Sequence, residues 1–204
     1  MASPEFHELL KKLRERPRPE TPPPIDLLRA GFAALAKQYP PAADAVFERV
    51  DASGVPAEWV SLKGGHAQPV ILYFHGGGYC IGSAGTHRDL VSRLCRAADA
   101  RALSVDYRLA PENPHPAAVE DGVAAYRWLR GQGVPARSIV VAGDSAGGGL
   151  TLATLLALKE KGDELPAAGI CMSPVTDLAK EGESMRTKVD VDPMVHPSIS
   201  TPYA

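Results

Sequence analysis

The sequence predicts an α/β fold in which a mostly parallel β-sheet is flanked by helices on both faces. Three observations carry that expectation. Residues 69–74, 102–106, 139–142 and 167–172 are short runs, apolar almost throughout, and they alternate with longer segments of helical periodicity. Residues 138–149 compress a strand, a tight turn and a helix start into one stretch, with no room for a loop between them. A chain of 204 residues is also long enough to bury one layered core.

Taken in order, Ser3 and Pro4 open a helix as N-cap and first helical residue, and Phe6, Leu9, Leu10 and Leu13 follow at helical spacing. Repeated prolines over residues 14–24 end it. A second amphipathic pattern, Ile25, Leu28, Phe32 and Leu35, stops at Tyr39, Pro40 and Pro41. Two short helices on a proline hinge cannot form a core alone, so they are expected to lie across something else. Residues 46–50 and 55–62 read as the strands of a hairpin turning at residues 51–54.

From there the rhythm changes to alternation. The strand 69–74 ends in His75, Gly76, Gly77 and Gly78. Thr86 is placed to cap the next helix, with Asp89 three residues on and Leu90, Val91 and Leu94 behind it. A strand at 102–106, a proline-rich loop at 107–116 and a helix at 119–129 follow. The strand from Ile139, the helix after Ser145 and a strand at 167–172 complete the pattern. Residues 173–204 are polar, carry Pro174, Pro193, Pro197 and Pro202, and show no strand pattern. Ligands of such a sheet bind beyond the carboxyl ends of its strands.

Gly143, Asp144, Ser145, Ala146 and Gly147 form a G-x-S-x-G spacing in the one context that gives it chemical meaning, between a strand and a helix. At such a turn strand and helix pass so closely that positions two before and two after the serine tolerate almost no side chain. The Ser145 hydroxyl is then lifted onto the carboxyl edge of the sheet as a candidate nucleophile, and the Ala146 N–H points from the helix start toward developing negative charge. A glycine-rich turn that only packs tightly, or holds a phosphate, is the alternative for the pentapeptide alone. Gly76, Gly77 and Gly78 end a strand on the same edge, where successive glycines leave backbone N–H groups open to an oxyanion.

A net charge of −2, with both signs interspersed, offers no basic stripe for nucleic acid. The cysteines Cys80, Cys95 and Cys171 have neither disulfide nor zinc-ligand spacing and read as buried thiols in a reducing compartment. With a charged N-terminus and no run long enough for a membrane span, the expected location is the cytoplasm.

With these motifs in place, the chain resembles the hormone-sensitive-lipase-like family of α/β-hydrolase carboxylesterases. The resemblance rests on His75 to Gly78, on residues 106–112 (Asp-Tyr-Arg-Leu-Ala-Pro-Glu), on residues 143–148 (Gly-Asp-Ser-Ala-Gly-Gly) and on residues 173–177 (Ser-Pro-Val-Thr-Asp). It implies Ser145 as the acylated nucleophile, the Gly76, Gly77 and Ala146 N–H groups as oxyanion hole, a small-molecule ester as substrate, and no metal or organic cofactor. It further implies cap helices over residues 1–45, an incomplete hydrolase core over 46–173 and the start of a second cap segment over 174–204. The expected chain order is Ser, then an acid, then His, each of the last two after a further strand. By resemblance this chain is the amino-terminal two thirds of such an enzyme, and its last strand is expected to expose an edge open to self-association.

Of the six histidines only His196 follows the serine, with Asp190 and Asp192 nearby. Asp192, Pro193 and Met194 imitate the family's Asp-Pro-Leu, but no buried strand precedes them and His196 is four residues on, so they read as a decoy. His75 is expected to shape its loop, and His7, His66, His87 and His115 to be structural. Against the hydrolase reading stand a non-catalytic small-ligand binder on the same fold and a peptidase or amidase using the same turn.

Overall fold

The computed structural model describes residues 2–15, 23–66, 68–179, 181–188 and 191–193. They fall into two compact parts, one running Ile25–Thr176 and the other made of the terminal segments on either side of it. In the terminal segments the helix α1 (Pro4–Arg14) opens as its sequence predicts, with Ser3 Oγ accepting from the Phe6 N–H at 3.3 Å. The short helix α6 (Ser184–Thr187) is the only regular element described after residue 176.

The larger part begins with α2 (Ile25–Ala36) and builds a six-stranded sheet from β1 (Ala45–Asp51), β2 (Pro56–Leu62), β3 (Val70–Phe74), β4 (Arg101–Val105), β5 (Ile139–Asp144) and β6 (Ala168–Met172). The strand order is β1-β2-β4-β3-β5-β6. β1 and β2 form the expected antiparallel hairpin, and β2 runs antiparallel to β4. β4, β3, β5 and β6 are mutually parallel neighbours, as apolar strands alternating with helices require. At the hairpin, Ser53 and Gly54 have φ of 60° and 85°, the sign that lets a two-residue turn follow the twist of its strands. Asp51 Oδ1 fastens it by accepting from the Gly54 N–H at 2.6 Å.

The period-two geometry of β3 explains why all five of its residues are apolar and buried. Val70, Leu72 and Phe74 point to the face covered by α4 (Ala117–Gly131) and α5 (Ala146–Glu160), where Val123, Tyr126, Leu129, Leu150 and Leu158 meet them. Ile71 and Tyr73 point to the other face, against Val91 and Cys95 of α3 (Arg88–Ala98). Each large side chain so buried contributes about 1.5–3 kcal/mol relative to an exposed one. α2 lies across this part as expected of a helix with no core of its own. Its Arg29 makes a two-pronged pair with Glu112 at 2.8 Å and donates to the Cys80 and Ala110 carbonyls at 2.9 and 3.0 Å.

Two expectations are corrected. Thr86 does not cap α3, because Ser83 reaches it first. The Ser83 N–H donates to Thr86 Oγ1 at 2.9 Å, the Thr86 N–H donates to Ser83 Oγ at 3.1 Å, and a 3-10 turn, Gly85–His87, precedes the helix. Cys171 is only half-buried, unlike Cys80 and Cys95, because β6 pairs on one side alone among the described strands.

The registers place the site. Phe74 lies level with both Val105 and Gly143, and Asp144 lies level with Met172, so the loops after β3, β4, β5 and β6 leave one edge of the sheet together. On the face beneath, α4 touches α5 through Gly122, where a Cβ would overlap Thr154 Oγ1 and press Phe74 Cζ at 3.1 Å. Gly131, at the end of the same helix, has nothing within 4 Å. Gly122→Ala is therefore expected to destabilise the fold by about 1–3 kcal/mol through overpacking. Gly131→Ala is expected to be neutral or slightly stabilising. Urea melts of the two variants check this, and equal midpoints would contradict it.

Candidate active site

Ser145 sits between β5 and α5 with φ 53° and ψ −118°, a conformation that L residues seldom adopt and that persists only when neighbours hold it. The segment after β6 supplies part of the hold. The Ser145 N–H donates to the Met172 carbonyl at 2.9 Å, and the Val175 N–H donates to the Ser145 carbonyl at 2.9 Å. Close approach supplies the rest. A Cβ on Gly147 would overlap the Phe74 carbonyl, and one on Gly143 would overlap the Gly147 carbonyl, so both positions flanking the serine must lack a side chain. Ser145 is half-buried, and Ala146 is the first residue of α5.

Opposite the serine turn runs the loop from His75 to Tyr79, in which Gly77, Gly78 and Tyr79 have φ of 128°, 60° and 60°. Its peptide groups are oriented one by one. The His75 carbonyl accepts from the Tyr107 hydroxyl at 2.7 Å, while the Gly76 N–H of the same peptide donates to Asp144 Oδ1 at 2.9 Å. The Gly76 carbonyl is held by His75 Nδ1 at 2.8 Å. The Gly77 carbonyl accepts from the N–H groups of Cys80 and Ile81 at 3.1 and 3.0 Å. In a trans peptide the N–H points opposite to its carbonyl. Fixing the Gly76 and Gly77 carbonyls therefore turns the Gly77 and Gly78 N–H groups the other way, and neither has a hydrogen-bond acceptor among the described residues.

His75 has the loop-shaping place expected of it. It is 1% exposed, stacks on Tyr107 at 4.3 Å, and burial pulls its pKa down to about 4, so the ring is neutral at pH 7. Because the Gly76 carbonyl can only accept, the proton of that neutral ring is on Nδ1. Asp144, immediately before Ser145, receives the Tyr73 hydroxyl at 2.7 Å on the same oxygen that takes the Gly76 N–H, and His87 Nε2 faces that oxygen at 3.5 Å. Burial alone would push the Asp144 carboxyl up. His87, Tyr73 and the Gly76 N–H together outweigh that and hold it below the usual carboxylate range. Burial, with the Asp144 charge beside it, pushes the Tyr73 hydroxyl well up, so it stays a donor.

Of the four residues singled out in the sequence, the structure places Ser145 on the strained turn, Ala146 at the helix start and Gly77 on the facing loop. Gly76 is corrected, because its N–H is committed to the Asp144 carboxylate and is not open to a ligand. Gly78 takes its place as the second open donor of the loop. Sequence reasoning missed Asp144, Tyr73 and Tyr107. Only the carboxylate inside the G-D-S triplet carried a signal, since an acid one residue from a nucleophile must be held by something. Among the described residues no group of His, Cys, Asp and Glu is arranged to hold a metal ion. Asp192 follows a short helix instead of a strand, while Asp190, Met194 and His196 lie outside the described residues.

Comparison with known proteins bears on the fold and the family. Residues 71–201 match the family model described as alpha/beta hydrolase fold. An acetyl-hydrolase of Streptomyces hygroscopicus is 52% identical over 132 residues, which cover 65% of this chain and 44% of that protein. The crystal structure of the esterase EstE5 soaked with p-nitrophenyl butyrate superposes with a TM-score of 0.91 at 46% identity, covering 98% of this chain and 67% of that one. An esterase from the bacterial hormone-sensitive lipase family superposes at 0.88 and 43% identity, covering 98% and 68%. The chain spans about half the length of the curated relatives it matches. A family match across most of the sheet, together with close superposition at more than 40% identity, makes this chain a member of the hormone-sensitive-lipase-like group of α/β-hydrolases.

Proposed function

We propose that this chain carries the acylation machinery of a serine carboxylester hydrolase. Ser145 Oγ attacks the ester carbonyl carbon, and the carbonyl oxygen takes up the negative charge of the tetrahedral intermediate. The N–H groups of Gly77, Gly78 and Ala146 receive that oxyanion, with Gly78 replacing Gly76 for the reason given above. Collapse expels the alcohol and leaves an acyl-enzyme, which water then hydrolyses. Preorganised donors of this kind each contribute on the order of 10²–10³ in rate, because no dipole has to reorient when charge develops. The observation that supports this reading best is the strained Ser145 facing loop N–H groups that have no acceptor among the described residues. Short acyl esters are the proposed substrate class, in keeping with an acetyl-hydrolase among the relatives and a butyrate ester soaked into a similar esterase.

Proton transfer is the part this chain leaves thin. Ser145 Oγ has no histidine partner among the described residues, and a neutral serine hydroxyl without a general base is a poor nucleophile. Asp192 and His196 are proposed to be bystanders, because acid and base should arrive from two separate strand ends. No described helix is long and apolar enough to cross a membrane. The free thiols support a cytoplasmic setting, and the balanced charge offers no basic stripe for nucleic acid.

The 204-residue chain is expected to hydrolyse a short p-nitrophenyl ester far below the roughly 10 per second typical of enzymes. Ser145→Ala should abolish what remains, while Asp192→Asn and His196→Ala should leave it within about threefold of the parent. Ordinary turnover that collapses in either of the last two variants would overturn the assignment. The outer edge of β6 is proposed to drive self-association, since Ile170 on it and Leu152 and Leu156 on the neighbouring α5 are all exposed. Sedimentation velocity should show a concentration-dependent increase in mass, and a concentration-independent monomer would refute it.

A further inference from the structure

We propose that Asp144 is a positioning residue, whose carboxylate couples the serine turn to the anion-binding loop and so sets where the Gly77 and Gly78 N–H groups stand relative to Ser145. The inference rests on the hydrolase reading above and deepens it.

The sequence makes Asp144 the last residue of β5 and the covalent neighbour of Ser145, so its backbone moves with the nucleophile. Its side chain does not turn to solvent but crosses to the neighbouring strand. There Oδ1 takes the Gly76 N–H at 2.9 Å and the Tyr73 hydroxyl at 2.7 Å, with His87 Nε2 at 3.5 Å. The approach is so close that a Cβ on Gly76 would overlap Asp144 Oδ2, so glycine at this position admits the carboxylate as well as freeing the loop.

The loop needs such an anchor. Gly77, Gly78 and Tyr79 follow one another at positive φ, where two of the three residues are glycines with many alternatives and no local preference for this path. Downstream the path is fixed by Cys80 and Ile81 on the Gly77 carbonyl. Upstream, the hydrogen bond that joins the loop to the nucleophile's own strand among the described residues is that of the Gly76 N–H to the Asp144 carboxylate. Without it the Tyr107 hydroxyl is the hydrogen bond left on the peptide between His75 and Gly76 among the described residues, and the following two peptides lose their common reference to Ser145. An oxyanion set out of place by about 1 Å costs on the order of 10² in rate.

A carboxylate this near a developing oxyanion would by itself oppose it. Two donors directed at its one oxygen, with the His87 ring beside it, draw that charge toward Tyr73 and Gly76, away from the face presented by Gly77 and Gly78. The charge therefore serves to grip the loop.

The test compares the 204-residue chain with Asp144→Asn, Asp144→Ala and Tyr73→Phe, following the Gly76 amide by proton–nitrogen NMR and the Ser145-dependent hydrolysis of p-nitrophenyl butyrate, that is, the rate minus that of Ser145→Ala. In the parent the Gly76 amide should resonate downfield and exchange slowly. In Asp144→Ala it should move upfield and exchange at least about tenfold faster, with kcat falling about 10- to 100-fold and KM changing less than about threefold. Asp144→Asn, which keeps an acceptor oxygen, should recover part of both. Tyr73→Phe leaves the carboxylate and supplies a mild variant should Asp144→Ala not fold; it should shift the same amide by a smaller amount. A Gly76 amide indifferent to all three substitutions, or a rate loss accompanied by an equal rise in KM, overturns the proposal. A hydrolysis rate unchanged in Ser145→Ala would instead overturn the hydrolase reading, and the amide alone would then decide whether Asp144 grips the loop.

Discussion

The start of α5 presses directly on the end of β3, and the rest of the site follows from that contact. With no side chain at Gly147, the first turn of the helix meets the Phe74 and His75 carbonyls. Only at that distance can Asp144 reach across to Gly76 and the loop after β3 stand opposite Ser145. The strain at Ser145, φ 53°, is maintained by the same packing, with the Met172 and Val175 backbone bonds closing over it from the other side. Residues held in such sparsely populated conformations cost on the order of 1–3 kcal/mol each and survive only where the surroundings over-determine them. Here the surroundings are three parallel strands that end at one level.

The electrostatics of the edge are arranged to favour one new negative charge. His75 is kept neutral by burial and spends its Nδ1 proton on the Gly76 carbonyl. Tyr73 and Tyr107 are kept protonated, and each gives its hydroxyl hydrogen to an oxygen of the scaffold, Asp144 Oδ1 and the His75 carbonyl. The carboxylate next to Ser145 takes the Tyr73 hydroxyl and the Gly76 N–H on a single oxygen and is held below the usual carboxylate range. Among the described residues a pair of loop N–H groups and the start of a helix are left open, the donor set that the proposed oxyanion would use.

Much of this was legible in the chain before any coordinates. The strand-turn-helix context of Ser145 can be read because an apolar β-branched run, glycines two before and two after the serine and an immediate helical pattern leave strong local signatures, and the hairpin turning at residues 51–54 is readable from its turn residues. The choice among three consecutive glycines was not. It depends on which carbonyls are tied by His75, Cys80 and Ile81, and those bonds follow from loop closure and not from residue type. Thr86 misled because its capping pattern is genuine in composition but is pre-empted by Ser83. Tyr73 and Tyr107 gave no sign of their polar duties, since a tyrosine in an apolar run or a loop looks like core until its hydroxyl is seen to find a partner.

The measurement that bears most directly on the central claim, that the packing at β3 and α5 makes Ser145 the nucleophile, is to map by tandem mass spectrometry where a fluorophosphonate reacts with the folded chain. The account predicts one adduct, formed slowly because no histidine among the described residues activates Oγ, on the peptide containing Ser145, lost when the protein is unfolded in urea before labelling and absent in Ser145→Ala. An adduct on a different serine, or labelling of Ser145 that persists in the unfolded chain, would contradict it.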